Sequence, residues 1–192
     1  MNITIEKVKE FLQNYERKDL CKPRLKKAAV LMLLYPKLER LHVLLTRRTE
    51  DVEHHKGQIS FPGGSRDDED NDLISTALRE SEEEVGLPKG SVQVLGLFDD
   101  FETPSGFAIT PVVGFAPSLP PLKHNADEVA EILEVPLAVF LDRGNERIER
   151  WERGGVVRDV FFYRFGDHEI WGATAAILRA FLRSVSSEGK DG

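Results

Sequence analysis

Cysteine is almost missing. Cys21 is the only one among 192 residues, so no disulfide can close within the chain, and such sparing use fits a reducing compartment. Nothing beside Cys21 in the sequence would activate it as a nucleophile, so it is read as an incidental thiol. A surplus of positive charge is missing too. Lys and Arg number 26 against 33 Asp and Glu, a net charge of −7, which argues against binding nucleic acid or an anionic membrane. A protein of this kind that handles phosphates must do so through local cations. Long apolar runs are absent: the longest extends only from Ala28 to Tyr35, far short of the about 20 residues that cross a bilayer as a helix. The N-terminal charges are wrong for a signal peptide, and the final Lys-Asp-Gly is not a peroxisomal address. A cytoplasmic location is expected. There is no internal repeat, low-complexity tract or evident boundary, which predicts a single domain over residues 1–192, with an N-terminal helix (1–22) as an extension.

What is present alternates between strand and helix patterns. Ile5, Val8, Phe11 and Leu12 recur at helical spacing. Lys27 to Tyr35 reads as a strand buried on both faces, Pro36 to Glu39 as a turn, and Arg40 to Thr46 as the antiparallel partner. Thr49 to Ser60 is expected to be a loop leading into a turn at Phe61-Pro62-Gly63-Gly64. Further strands are predicted at Ser91 to Glu102, Phe107 to Phe115, Val156 to Phe165 and His168 to Trp171, with a Pro-rich loop at Ala116 to Asn125. Asp127 to Val135 fits either strand or helix, Pro136 to Leu141 fits one or two helical turns, and Gly172 to Val185 an amphipathic helix. One mixed sheet covered by helices on both faces is the simplest packing of these elements.

The chemistry concentrates between Phe61 and Leu87. A helix is predicted from an N-cap at Asp72 to a stop at Gly86 and Pro88. It carries Glu80, Glu82, Glu83 and Glu84, and no Lys or Arg stands four residues after any of them. Like charges four apart cost a helix roughly 0.2–0.5 kcal/mol per pair, so a cation from outside the segment is expected. Carboxylate oxygens are what Mg²⁺ and Mn²⁺ prefer. Helical spacing puts Ile74, Leu78, Ser81 and Val85 on the inward stripe, with Glu80 and Glu84 at its edge on the rim of a cleft and Glu82 on the solvated flank. Gly63 and Gly64 would let the backbone come close to a ligand.

Arg79-Glu80-Ser81-Glu82-Glu83-Glu84-Val85-Gly86-Leu87 resembles the second half of the Nudix box, G-x5-E-x7-R-E-U-x-E-E-x-G-U. Ser81 departs from it, where an aliphatic residue belongs, as does Asn71, where the first Glu belongs; Gly64 lies one residue too far upstream. That longer spacing resembles the coenzyme A diphosphatase branch, whose upstream signature is L-L-T-x-R-[SA]-x3-R-x3-G-x3-F-P-G-G. Leu44, Leu45, Thr46, Arg48, Gly57, Phe61, Pro62, Gly63 and Gly64 fit it; Thr49 and Glu53 do not, and Glu53 reverses a charge. Trp171-Gly172-Ala173-Thr174-Ala175 before the last helix is similar to that branch as well.

The resemblance implies an α/β/α sandwich with a mixed sheet and hydrolysis of a nucleoside diphosphate derivative with Mg²⁺ or Mn²⁺. Coenzyme A, cleaved to 3′,5′-ADP and 4′-phosphopantetheine, is the expected substrate. ADP-ribose, dinucleotides and non-standard nucleoside triphosphates stay open, as does a non-catalytic ligand-sensing domain. Carried over position by position, Glu80 and Glu84 would hold the metal, with Glu83 a further ligand or a group that positions water. Glu128 or Asp127 would supply a later acidic residue, Arg79 would tie the helix to one of Asp67, Asp68, Asp70 or Asp72, and Arg48, Gly63 and Gly64 would meet the substrate. His54, His55 and Lys56 are weaker candidates for substrate contact. The expected partner is a small nucleotide, not nucleic acid or membrane; a homodimer is left open.

Overall fold

The computed structural model describes residues 3–49 and 57–187. In chain order the elements are α1 (Ile5–Asn14), β1 (Lys26–Lys37), β2 (Arg40–Arg48), β3 (Ile59–Ser60), β4 (Gly63–Ser65), α2 (Leu73–Val85), β5 (Gln93–Leu97), β6 (Phe101–Glu102) and β7 (Phe107–Phe115). They continue as β8 (Val129–Pro136), α3 (Ala138–Leu141), β9 (Glu146–Arg153), β10 (Val156–Phe165), β11 (His168–Trp171) and α4 (Gly172–Ser187).

β1 is the axis of the larger sheet. Its apolar run lets both faces be buried, and Leu31, Met32, Leu33 and Leu34 are all fully buried. Each such side chain contributes roughly 1.5–3 kcal/mol relative to exposure. Alternate residues serve opposite layers. Ala29, Leu31, Leu33 and Tyr35 pack with Ala77 and Val85 of α2, whereas Met32 and Leu34 pack with Val8, Phe11 and Leu12 of α1 and with Leu178 and Phe181 of α4. This is the expected α/β/α arrangement. The sheet is mixed because β1 runs parallel to β7 while its other pairings, with β2 and β4, are antiparallel. Its order is β3-β2-β1-β7-β5, with β4 on β1, β6 on β7 and β8 on β2.

A second, three-stranded sheet, β11-β10-β9, differs from the single sheet expected. Its edge strand β9, ERIERWER, escaped the sequence reading because charges dominate it and its two apolar residues, Ile148 and Trp151, remain about half exposed. Tyr163 and Ile170 join this sheet to the core shared with α1 and α4.

Other expectations also shift. The N-terminal helix stops at Asn14, and the chain beyond it is fastened instead by Asp100, which accepts from Arg17 Nε (3.1 Å) and from the Leu20 amide (2.9 Å). Ser91 to Glu102 breaks into β5 and β6 around buried Phe98, and Asp127 to Val135 resolves as strand β8 against β2. Phe61 to Gly64 is no turn. Leu31 N donates to Pro62 O (2.8 Å), and Gly63 to Ser65 continue as β4 along β1, with Val30 opposite Gly63 and Ala29 opposite Gly64. An ideal Cβ on Gly63 would lie 2.4 Å from Ala29 O, so glycine is what lets these two backbones meet.

Candidate functional site

Helix α2 is set by its ends. Asp72 caps it, accepting from the Ser75 amide at 2.7 Å, and Gly86 ends it in the left-handed conformation at φ 67°. Ser81, odd for its apolar stripe, is fully buried and donates to Ala77 O at 2.6 Å. Between these ends the helix is turned so that Glu84 points inward. Glu84 is only 4% exposed, which corrects its expected place on the rim: the stripe that buries Val85 and Ser81 against β1 takes Glu84 with it.

Glu84 meets the glycine strand. Its Oε2 accepts from the Gly63 amide at 3.1 Å, and Arg48 Nη1 lies 3.9 Å from Oε1. Burial pushes its pKa up to about 7, against the opposing pull of the Gly63 N–H and Arg48; Glu80 and Glu128 push it further up. Burial likewise raises Glu80, whose carboxyl faces Gly64 so closely that a Cβ there would be 2.5 Å from Cδ. Glu83 is exposed, and so is Glu82, with Lys89 Nζ 3.6 Å from it.

Of the four aspartates considered, Arg79 is hydrogen-bonded to Asp70 and lies more loosely 3.5 Å from Asp67. Its Nε and Nη2 donate to the two Asp70 oxygens at 3.0 and 2.9 Å, and Nη2 also reaches Ser65 O at 3.2 Å. Its Nη1 donates to Glu80 at 2.9 Å and to Glu83 at 3.2 Å. Asp70 is 6% exposed, bonded also by Thr76 Oγ1 at 2.9 Å and by the Asp67 amide at 3.0 Å. The Arg79 guanidinium holds its carboxyl well below the usual carboxylate range.

Glu128 arrives from the other side. Asn125 N donates to Glu84 O (2.8 Å) and Lys123 N to Val85 O (3.1 Å), docking the Pro-rich loop on the end of α2. Glu128 then receives Asn125 Nδ2 at 3.3 Å and acts electrostatically on both Glu80 and Glu84. Its neighbour Asp127 is exposed. Asn125 and Thr49, whose amide donates to Glu128 O at 3.0 Å, are supports that no sequence signal singled out. The structure therefore gathers Arg48, Gly63, Gly64, Arg79, Glu80, Glu83, Glu84 and Glu128 in one region. Glu53, His54, His55 and Lys56 lie outside the described residues. Arg47, adjacent to Arg48, pairs with Glu131 instead, at 3.2 Å.

The upstream signature divides in two. Leu44, Leu45 and Phe61 are core residues, so their presence speaks for packing, whereas Arg48 and Gly63 reach Glu84. Thr174 of the Trp-Gly-Ala-Thr-Ala segment donates to Ile59 O at 3.1 Å, fastening α4 to the strand that leads into Pro62 and Gly63.

The carboxylates fit a divalent cation by their chemistry: one is buried beside two others, and burial together with like charge raises the pKa of both Glu80 and Glu84. With Arg79 drawing Glu80 and Glu83 toward itself, no three Asp, Glu, His or Cys side chains among the described residues stand close enough to share one ion.

Comparison with known proteins shows the family. A model of the NUDIX domain matches residues 25–153. The uncharacterized Nudix hydrolase NudL of Yersinia enterocolitica is 42% identical over 149 residues, covering 75% of this chain and 74% of that protein. NudL of Photorhabdus laumondii is 42% identical over 143 residues, 74% of this chain and 76% of the relative. Among solved structures, the Nudix hydrolase RenU of M. smegmatis has a TM-score of 0.51 at 27% identity, covering 60% of this chain and 72% of that one. A MutT protein of Methanosarcina mazei, at 21% identity, shares the fold with a TM-score of 0.52 over 90% of this chain and all of its own. With a domain match over most of its length and relatives above two-fifths identity, the chain belongs to the Nudix hydrolase family.

Proposed function

We propose that this protein hydrolyses the diphosphate of coenzyme A, releasing 3′,5′-ADP and 4′-phosphopantetheine, with Mg²⁺ or Mn²⁺ as cofactor. The observation that carries the reading is the buried Glu84 carboxylate, held by the Gly63 amide beside Glu80, Glu128 and Arg48. Glu80 and Glu84 would hold the cation, with Glu83 in reach once it leaves Arg79. When bound, the cation neutralises phosphate oxygens and makes phosphorus more electrophilic. Arg48 supplies the fixed positive charge for a phosphate oxygen; its Nε is buried without a hydrogen-bond partner among the described residues. Glu128 is the general base. It takes a proton from water as the water oxygen bonds to phosphorus and the bridging P–O bond breaks toward the leaving phosphate. Arg79 acts by positioning, with Asp70 fixing the guanidinium that holds Glu80.

The glycines separate backbone from side-chain effects. Gly63→Ala drives a Cβ into the β1 backbone and is expected to cost more than about 3 kcal/mol of stability. Gly64→Ala meets only the movable Glu80 carboxyl, so stability falls by about 1–2 kcal/mol while turnover drops about 10²-fold as Glu80 is displaced. Denaturant melts and an assay on both variants test this; equal stability losses would refute the distinction.

The coenzyme A assignment rests on the upstream signature, of which Arg48 and Gly63 adjoin Glu84. A substrate panel with Mn²⁺ is expected to give higher kcat/KM for coenzyme A than for ADP-ribose. Comparable or better turnover of ADP-ribose overturns the assignment, and no turnover of any diphosphate would point to a ligand-sensing domain.

A further inference from the structure

Lys27 and Arg66 form an arrangement that the proposed hydrolysis does not use. The β1–β4 ladder pairs Ala29 with Gly64 and Ala28 with Ser65, and the Arg66 amide extends it by donating to Lys27 O at 3.0 Å. Lys27 and Arg66 are thus the next opposed pair. By strand alternation they point to the same face as Ala29 and Gly64, the face that meets Glu80 and α2. Like charges directly opposite across a ladder are destabilising. Among the described residues neither is within ion-pair distance of a carboxylate, although Arg66 acts electrostatically on the capping Asp72; Asp67 lies 3.5 Å from Arg79, and Asp68 lines the same cleft. Arg66 Nη2 is anchored on Asp70 O at 3.0 Å and Asn71 O at 3.5 Å, which aims the guanidinium and leaves Nε and Nη1 without an acceptor among the described residues. The cleft has a volume of ≈ 370 Å³ and is lined by Lys26, Lys27, Ser65, Arg66, Asp67 and Asp68.

This repeats, with opposite sign, the logic of the acidic helix: two like charges held together by the backbone call for a counter-ion. We infer that Lys27 and Arg66 bind a phosphate monoester on the ribose of the nucleotide whose diphosphate lies at Glu80 and Glu84. The pair sits two residues along the strand from Gly64, roughly 7 Å at 3.3–3.4 Å per residue. That spacing suits two phosphoryl groups on one nucleoside. A fork of guanidinium donors beside an ammonium matches the oxygens of a terminal phosphate better than those of a diester. The inference rests on the hydrolase reading for its substrate and adds a determinant of selectivity: a ribose phosphate is required for tight binding.

The test compares coenzyme A with 3′-dephospho-coenzyme A in the full-length wild type, Lys27→Ala, Arg66→Ala and the control Lys7→Ala, an exposed lysine of α1 outside the cleft. In the wild type kcat/KM is expected to be at least tenfold higher for the 3′-phosphorylated substrate. Lys27→Ala and Arg66→Ala should each lose about tenfold on that substrate, through KM, and stay within twofold on the dephosphorylated one; Lys7→Ala should keep the preference. Equal losses on both substrates, or none, overturn the subsite. Calorimetric binding of 3′,5′-ADP and 5′-AMP is a second measurement that does not need turnover. The bisphosphate should bind at least tenfold more tightly to the wild type and equally to Lys27→Gln/Arg66→Gln, which keeps polar side chains in place. If no coenzyme A is hydrolysed yet this binding difference holds, the hydrolase reading fails and the subsite stands. If the two nucleotides bind the wild type alike, the subsite is wrong whatever the substrate.

Discussion

Glu84→Gln is expected to lower kcat by about 10³-fold at saturating Mg²⁺ or Mn²⁺. The same variant should melt at an unchanged or slightly higher temperature in the metal-free state. The two effects come from one cause. Glu84 is a carboxylate placed where burial disfavours its charge and where Glu80 and Glu128 disfavour it again. A glutamine keeps the shape and still accepts from the Gly63 amide through its carbonyl oxygen, so the fold loses little. What disappears is the negative charge that a divalent cation would use. Full turnover in the variant would remove Glu84 from the chemistry. A large fall in melting temperature would instead make it a structural residue. The informative readout is the pair, measured on one preparation with and without EDTA.

Asp70→Asn should have the opposite profile, with stability hit harder than any single step of the chemistry. Asp70 is buried, accepts from two nitrogens of Arg79, and also accepts from Thr76 and the Asp67 amide. An asparagine offers one oxygen and turns an NH₂ toward the guanidinium, so Arg79 loses its two-pronged partner and keeps as carboxylate partners, among the described residues, only Glu80, Glu83 and the more distant Asp67. Losing a charge-assisted hydrogen bond of this kind costs about 1.5–3 kcal/mol, or about 5–10 °C of melting temperature for a chain of this size. The pH dependence follows from Arg79 holding the Asp70 carboxyl below its usual range. A depressed folded value means that the contribution is complete above the unfolded value of about 3.9 and is lost as pH falls through the folded one. The gap between wild type and variant in denaturant melts is therefore expected to be full at pH 7 and to narrow below about pH 4. A gap that stayed constant into acid would falsify the ion pair as its source.

Helix α2 was legible almost to the residue. Its cap at Asp72, its stop at Gly86 and the exposed flank of Glu82 all follow from local rules of capping and helical spacing. The strands β1, β2, β7 and β10 were legible because burial writes itself into apolar runs or alternation. β9 was not, since an edge strand with charges on both faces has no apolar period to detect. β4 was not either. Three residues, two of them glycine, have no strand propensity of their own, and only the backbone of β1 makes them a strand.

By itself the sequence determined the family, the clustered carboxylates on one helix and the two glycines upstream of it. These are short-range facts, fixed by spacing within some 25 residues of chain. Tertiary structure alone decided how deep Glu84 sits, which of four aspartates receives Arg79, and that Glu128 rather than Asp127 turns toward the helix. It also decided that Lys27, almost 40 residues before Arg66, stands opposite it. The physical reason is common to all four. Burial and the partner of a charged group depend on what the sheet register brings against it from a distant segment, and charge patterns along the chain do not encode that register.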